Sequence, residues 1–205
     1  MNESKSKTKF SRKVKILLIY IKARLLFGKY YDKKYLDTEY FAKITSPGWE
    51  WAVLDMWGRK HFDQNRKCKW PVHPNAFCPH PENVEFDPSS LNVFHSQGVY
   101  FQAINAKIRI GKKCFIAQNC GLITTNHDFS NLEKHLEGKD IVIGDNCWIG
   151  MNSVILPGVT LGNHTIVGAG SVVTKSFCEG NCVIAGNPAK VIRVIESIEE
   201  ENNEC

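Results

Sequence analysis

The sequence predicts a mainly β fold: a parallel β-helix of six-residue repeats behind an N-terminal helical and loop-rich extension. Three observations predict it. Every sixth residue from Ile143 is aliphatic: Ile143, Ile149, Ile155, Leu161, Val167 and Val173. Glycine follows four of the six, at Gly144, Gly150, Gly162 and Gly168. Two residues before the later members stand Cys147, Ser153, Val159, Thr165 and Ser171, all small or medium. A period of six is neither the helical nor the strand period, and it fits short strands joined by tight bends. Each coil buries its apolar row only against the next coil, so the repeats stabilise one another along one axis. Three sides per coil give roughly 18 residues per turn, so 143–160 and 161–178 are two coils.

The chain of 205 residues divides on this basis into 1–97, 98–195 and an acidic tail, 196–205. At 43% hydrophobic and 23% charged it has the composition of a folded chain. Its charge is uneven. Residues 1–35 hold eleven Lys or Arg against Glu3 and Asp32, while the tail holds five Glu and no base. A basic arm suits an anionic surface, and a solvated helix is the plain alternative. The run Ile16 to Ile21 is too short to span a bilayer and lacks a cleavage site, so a cytoplasmic protein is expected. Residues 12–27 can lie on the inner face of a membrane with Lys and Arg snorkelling. The arm alone does not make a nucleic-acid binder.

The helical segment is expected to end near residue 45. The next stretch is rich in aromatics and prolines (Trp49, Trp51, Trp57, Trp70, Pro71, Pro74) and reads as loops packed on the first coil. These tryptophans suit sugar faces, although core packing is their commoner use. The repeat phase reappears upstream as Ile104, Ile110, Ile116 and Leu122, with Cys114 and Cys120 in the small slot. Cys147 shares that slot, so three of the eight cysteines need neither disulfide nor metal. From Leu122 to Ile143 the phase breaks, which marks an insertion containing Thr124-Thr125-Asn126-His127-Asp128-Phe129. A polar loop on a rigid scaffold is where function is often placed.

With these motifs the chain resembles the hexapeptide-repeat acetyltransferases over about residues 98–194, near the maltose, galactoside and serine acetyltransferases and the polysaccharide O-acetyltransferases. The marks are Ile143-Gly-Asp-Asn-Cys-Trp-Ile-Gly150, Ile155-Leu-Pro-Gly-Val-Thr-Leu-Gly162, Val167-Gly-Ala-Gly-Ser-Val-Val-Thr-Lys175 and Ala185-Gly-Asn-Pro-Ala-Lys-Val-Ile-Arg193. The resemblance implies a left-handed β-helix, a homotrimer with sites between subunits, and acetyl-CoA as co-substrate with no metal.

It also implies residue roles. His127 matches the catalytic base, and an imidazole accepts an alcohol's proton at neutral pH. Gln102 stands near a family asparagine serving the acetyl or acceptor end. Asn126 and Asp128 flank the base and either contact acceptor hydroxyls or fix the loop. Trp148, Gly150, Met151, Gly168 and Ala169 match the pantetheine groove, where Gly and Ala permit close approach. Thr174, Lys175, Lys190 and Arg193 match the nucleotide end, where cations suit phosphates. His135 and His164 invite a zinc reading, but the spacing supplies no three-histidine set.

The expected function is O-acetylation of a sugar hydroxyl in surface polysaccharide or lipopolysaccharide synthesis. Acetylation of a small acceptor such as serine or a free sugar is the second reading. A non-catalytic β-helix scaffold is the third.

Overall fold

The computed structural model describes residues 21–62 and 65–196. The first twenty residues of the basic arm and the tail beyond Glu196 lie outside the described residues. So does most of the segment read as a membrane-surface helix.

Three parallel sheets form the faces of a prism. The first face holds β2 (Tyr100–Gln102), β5 (Gly121–Ile123), β10 (Val154–Ile155) and β13 (Val172–Val173). The second holds β1 (Val84–Phe86), β3 (Ile108–Ile110), β8 (Ile141–Ile143) and β11 (Thr160–Leu161). The third holds β4 (Phe115–Ile116), β9 (Trp148–Ile149), β12 (Thr165–Val167), β14 (Cys182–Gly186) and β15 (Ala189–Val194). The chain visits first, second and third face in turn, and β15 folds back antiparallel on β14 to close the last coil.

The aliphatic row is the core. Ile110, Ile116, Leu122, Ile143, Ile149, Ile155, Leu161, Val167 and Val173 are all buried. Regular coils repeat every 18 residues, since Val142 pairs with Thr160 and Val154 with Val172. Ile104 is a correction. Phe101, fully buried, pairs with Leu122, and Ile104 sits in a bend. The first coil carries three extra residues at that corner, so counting back in sixes stops three residues short of Phe101.

The corners explain two more rows. Asn146, Asn152, Gly158, His164 and Gly170 recur every six residues, all with positive φ. This left-handed bend favours Asn and Gly. The small slot is a donor row. Cys114 Sγ donates to Gly144 O (3.1 Å), Cys120 Sγ to Gly150 O (3.1 Å), Cys147 Sγ to Gly162 O (3.2 Å) and Ser153 Oγ to Gly168 O (3.0 Å). At these four positions the slot takes a compact side chain that bonds one coil to the next, whereas Thr165 and Ser171 donate to Gly162 O and Gly168 O three residues back.

Glycine in the repeat answers to the same closeness. A Cβ on Gly150 would lie 2.6 Å from Ala169 N, and one on Gly168 would lie 2.9 Å from Ala185 Cβ. The space in front of both is filled by the following coil. The close approach that these glycines permit within one chain is between coils.

Upstream of residue 98 the ladder continues through β1, which pairs with β3, and through a bridge from Phe77 to Tyr100. Aromatics plug the open end: Tyr35 stacks on Phe86 (4.9 Å), Phe86 meets Phe94 (4.6 Å), and Phe94 meets Phe101 (4.7 Å). Beyond them lies a helix, Gly48–His61, where loops were expected; helical structure does not end near residue 45. Its buried residues are Gly48, Trp49, Ala52, Asp55 and Gly58. A face with two glycines and an aspartate hides the amphipathic pattern that sequence reading depends on.

Asp55 is the latch of this cap. It accepts from Tyr31 Oη and from Arg59 Nε, each at 2.6 Å. Arg59 also donates to the carbonyls of Arg66, Cys68 and Trp70. Burial pushes the Asp55 carboxyl up against the pull of Arg59. Trp49 and Trp70 are core residues.

Candidate active site

The insertion leaves the prism between the first and second faces. Ile110 pairs with Ile143, a step of 33 residues where a regular coil takes 18, yet the strands on either side stay in register. At the root, Gln102 Oε1 accepts from Thr124 N (3.1 Å) and Thr125 N (3.2 Å), and Thr125 Oγ1 donates to Leu136 O (2.7 Å). Lys139 N donates to Thr124 O (2.8 Å), closing the neck. Gln102 is nine-tenths buried and ties the loop to the first face through its carbonyl oxygen.

Beyond the neck the loop is a hairpin of β6 (His127–Asp128) and β7 (Asn131–His135). Asp128 Oδ1 accepts from Ser130 N (2.8 Å) and Ser130 Oγ (2.6 Å), which folds the tip. These bonds hold the Asp128 carboxyl below the usual range. These are bonds within the loop, as the loop-fixing reading of Asp128 expects. Asn126 stands at the base, where its carbonyl accepts from Leu136 N (2.8 Å).

His127 is exposed, and its Nδ1 lies 2.7 Å from Leu132 O. A carbonyl only accepts, so this contact assigns the proton to Nδ1 and leaves the Nε2 lone pair free. His135 is the cross-strand partner of His127, and the two rings lie 4.4 Å apart. Sequence spacing gave no hint of this, because eight residues become neighbours only once the hairpin closes. The described residues contain no group of three or more His, Cys, Asp or Glu able to hold a metal.

The other expected residues fall into two places. Thr174 joins Asn126, Leu136, Glu137, Lys139, Leu156 and Pro157 around a groove of about 410 Å³ beneath the loop. Lys175 follows Thr174 and is exposed, with Nζ 5.7 Å over the Phe177 ring. Trp148 stands on the third face, 52% exposed, beside Phe115, Asn146 and His164 in a second groove. Gly150, Met151, Gly168 and Ala169 stack at the corner between the third and first faces, where Met151 and Ala169 are exposed. Lys190 and Arg193 are exposed on β15. One chain therefore brings Asn126, the residue before the base, together with Thr174, and puts Trp148 and the corner stack on a different side of the prism.

Comparison with known proteins agrees with this architecture. Residues 140–175 match the bacterial transferase hexapeptide (six repeats) family. A provisionally named colanic acid biosynthesis acetyltransferase of Escherichia coli is 42% identical over 95 residues, 46% of this chain and 50% of that protein. The crystal structure of a maltose O-acetyltransferase from Clostridium difficile covers 87% of this chain and 89% of its own, with TM-score 0.52 and 26% identity. A hexapeptide-repeat acetyltransferase from Vibrio cholerae, solved with acetyl-coenzyme A, covers 60% of this chain and 66% of its own, with TM-score 0.50 and 26% identity. The chain spans 50–62% of the length of the first curated relatives it matches. The fold is the left-handed parallel β-helix of the hexapeptide-repeat acetyltransferases.

Proposed function

We propose that this chain, a hexapeptide-repeat β-helix similar to acetyltransferases, moves an acetyl group from acetyl-coenzyme A to a sugar hydroxyl. The acceptor is a unit of surface polysaccharide or lipopolysaccharide. The observation that carries the proposal is the state of His127: Nδ1 committed to Leu132 O, Nε2 open, the ring held against His135. Nε2 takes the hydroxyl proton as the oxygen bonds to the acetyl carbon. It returns the proton to the departing sulfur, leaving an ester and a free thiol. His135 positions the base by ring contact and does not touch the substrate.

Coenzyme A supplies the activated acetyl group. The donor set suits it: exposed Trp148 offers a flat apolar wall, and exposed Lys175, Lys190 and Arg193 offer cations for phosphates. The separation of His127 from Trp148 within one chain supports a site completed by a second copy, hence a homotrimer. Gln102 is assigned to holding the loop root, and its amide N–H group is left as a donor toward the acyl oxygen. The enzyme works in the cytoplasm, where acetyl-coenzyme A is made.

The test is acceptor-dependent thiol release from acetyl-coenzyme A across sugars, nucleotide sugars and glycan fragments. His127→Ala is expected to lose about 10²–10⁴-fold in kcat while coenzyme A still binds. His135→Ala loses kcat with little change in KM, and His135→Phe restores it. Undiminished turnover in His127→Ala sinks the base assignment. A dead His127→Ala beside a fully active His135→Ala removes only the positioning role.

A further inference from the structure

We propose that the outer side of the N-terminal helix is a docking surface for an anionic lipid bilayer. Residues 21–27 are helical, and among these described residues one edge meets the core. Phe27 is buried, 6.0 Å from the rings of both Tyr31 and Trp49, and Ala23 packs one turn before it. The rest of the helix carries exposed apolar side chains beside basic ones. Leu25 is 67% exposed and Leu26 50%, with Ile21 one turn before Leu25. Contiguous exposed leucines on a folded chain mark an interaction surface.

Charge selects the occupant. Lys22 and Lys29 are exposed on the same helix and its exit, spaced one turn either side of Leu26. Residues 21–34 carry four lysines (Lys22, Lys29, Lys33, Lys34) against Asp32, while Arg24 pairs with Asp37. In sequence, residues 1–20 add Lys5, Lys7, Lys9, Arg12, Lys13 and Lys15 against Glu3. Leucines flanked by lysines match a bilayer interface: the apolar edge enters the acyl boundary and the ammonium groups reach lipid phosphates. Stable peripheral attachment takes two signals, and an apolar edge with a polybasic neighbour supplies both. The surface does not work by spanning, because no helix among the described residues is long and apolar enough to cross a membrane. The helix Gly48–His61 carries Val53, Trp57 and Lys60 along its own exposed stripe, spaced i, i+4, i+7.

The experiment is co-sedimentation of the full chain with two kinds of vesicle, phosphatidylcholine alone and phosphatidylcholine with roughly a third phosphatidylglycerol. Wild type is expected to pellet with the anionic vesicles, and to be released by raising salt. Leu25→Glu with Leu26→Glu is expected to lower partitioning at least about tenfold, with coenzyme A binding and sedimentation coefficient unchanged. Lys22→Glu with Lys29→Glu lowers it several-fold. His127→Ala binds vesicles like wild type, so this proposal and the catalytic one fail separately. Three results overturn it: wild type left in the supernatant, a leucine variant that pellets like wild type, or a leucine variant with a changed oligomeric state. The last would make this face a contact between copies of the chain.

Discussion

Between Ile108 and Val173 nearly every interior side chain has an equivalent in the next coil. Ile110 lies against Ile143, and Ile143 against Leu161. Among the described residues from Phe27 to Trp70 no such ladder exists. Burial there depends on unlike partners: Trp49 edge-on to Phe41 at 4.9 Å, and Tyr31 and Arg59 meeting at Asp55. The coils distribute stability over many similar contacts, so losing one is a local event. The cap concentrates it in one charged cluster, where losing one partner strands the others.

The difference is sharpest at Asp55. Asp55→Asn leaves the buried Arg59 guanidinium without its counter-charge, and we expect a loss of about 3 kcal/mol in urea denaturation. A loss below about 1 kcal/mol would mean that the carbonyl contacts of Arg59 suffice and the cap is as redundant as the coils.

A smaller effect is expected on acidification. His95 stacks on Trp51 at 4.7 Å, and burial pushes its pKa down to about 4, helped by His73. The folded pKa lies below the unfolded value, so the unfolded chain binds the proton first. The stability from neutral His95 is complete above about pH 6.5 and is lost as pH falls toward 4. Because the ring is only half-buried, we expect the loss to be on the order of 2 kcal/mol. His95→Gln should flatten stability over that window by the same amount. An unchanged slope would remove His95 from the account.

The smallest effect belongs to the coils. Cys147→Ser keeps a donor to Gly162 O and Cys147→Ala does not. The serine variant should be the more stable of the two by about 1 kcal/mol. Equal stabilities would reduce the small slot to a matter of size.

This contrast also explains what the sequence discloses. A row repeated every six residues announces itself, and the residues from Ile110 to Val173 assigned to the core are buried. Ile104 misleads because an insertion of three preserves the local look of the pattern while shifting its phase. The helix Gly48–His61 is hidden because its inner face uses Gly58 against Pro74 and Asp55 against Arg59 in place of aliphatics. In the site, a histidine on a polar insertion is visible from sequence. Its tautomer is not, because that depends on Leu132 O arriving from the returning strand. Nor is the His135 contact, which exists only in the folded register. The row Asn146, Asn152, Gly158, His164 and Gly170 lay in plain view with the same period. Its members share a backbone conformation and no side-chain chemistry, so hydrophobic scanning passes over it.

The steps between paired strands are 18 residues in the regular coils, 21 from Phe101 to Leu122 and 33 from Ile110 to Ile143, with the ladder unbroken across all three. Length at a corner is thus free of charge to the sheets. A lineage built on this plan can lengthen, exchange or re-letter the hairpin that carries His127 without renegotiating its core. Recognition and folding can then evolve on separate clocks.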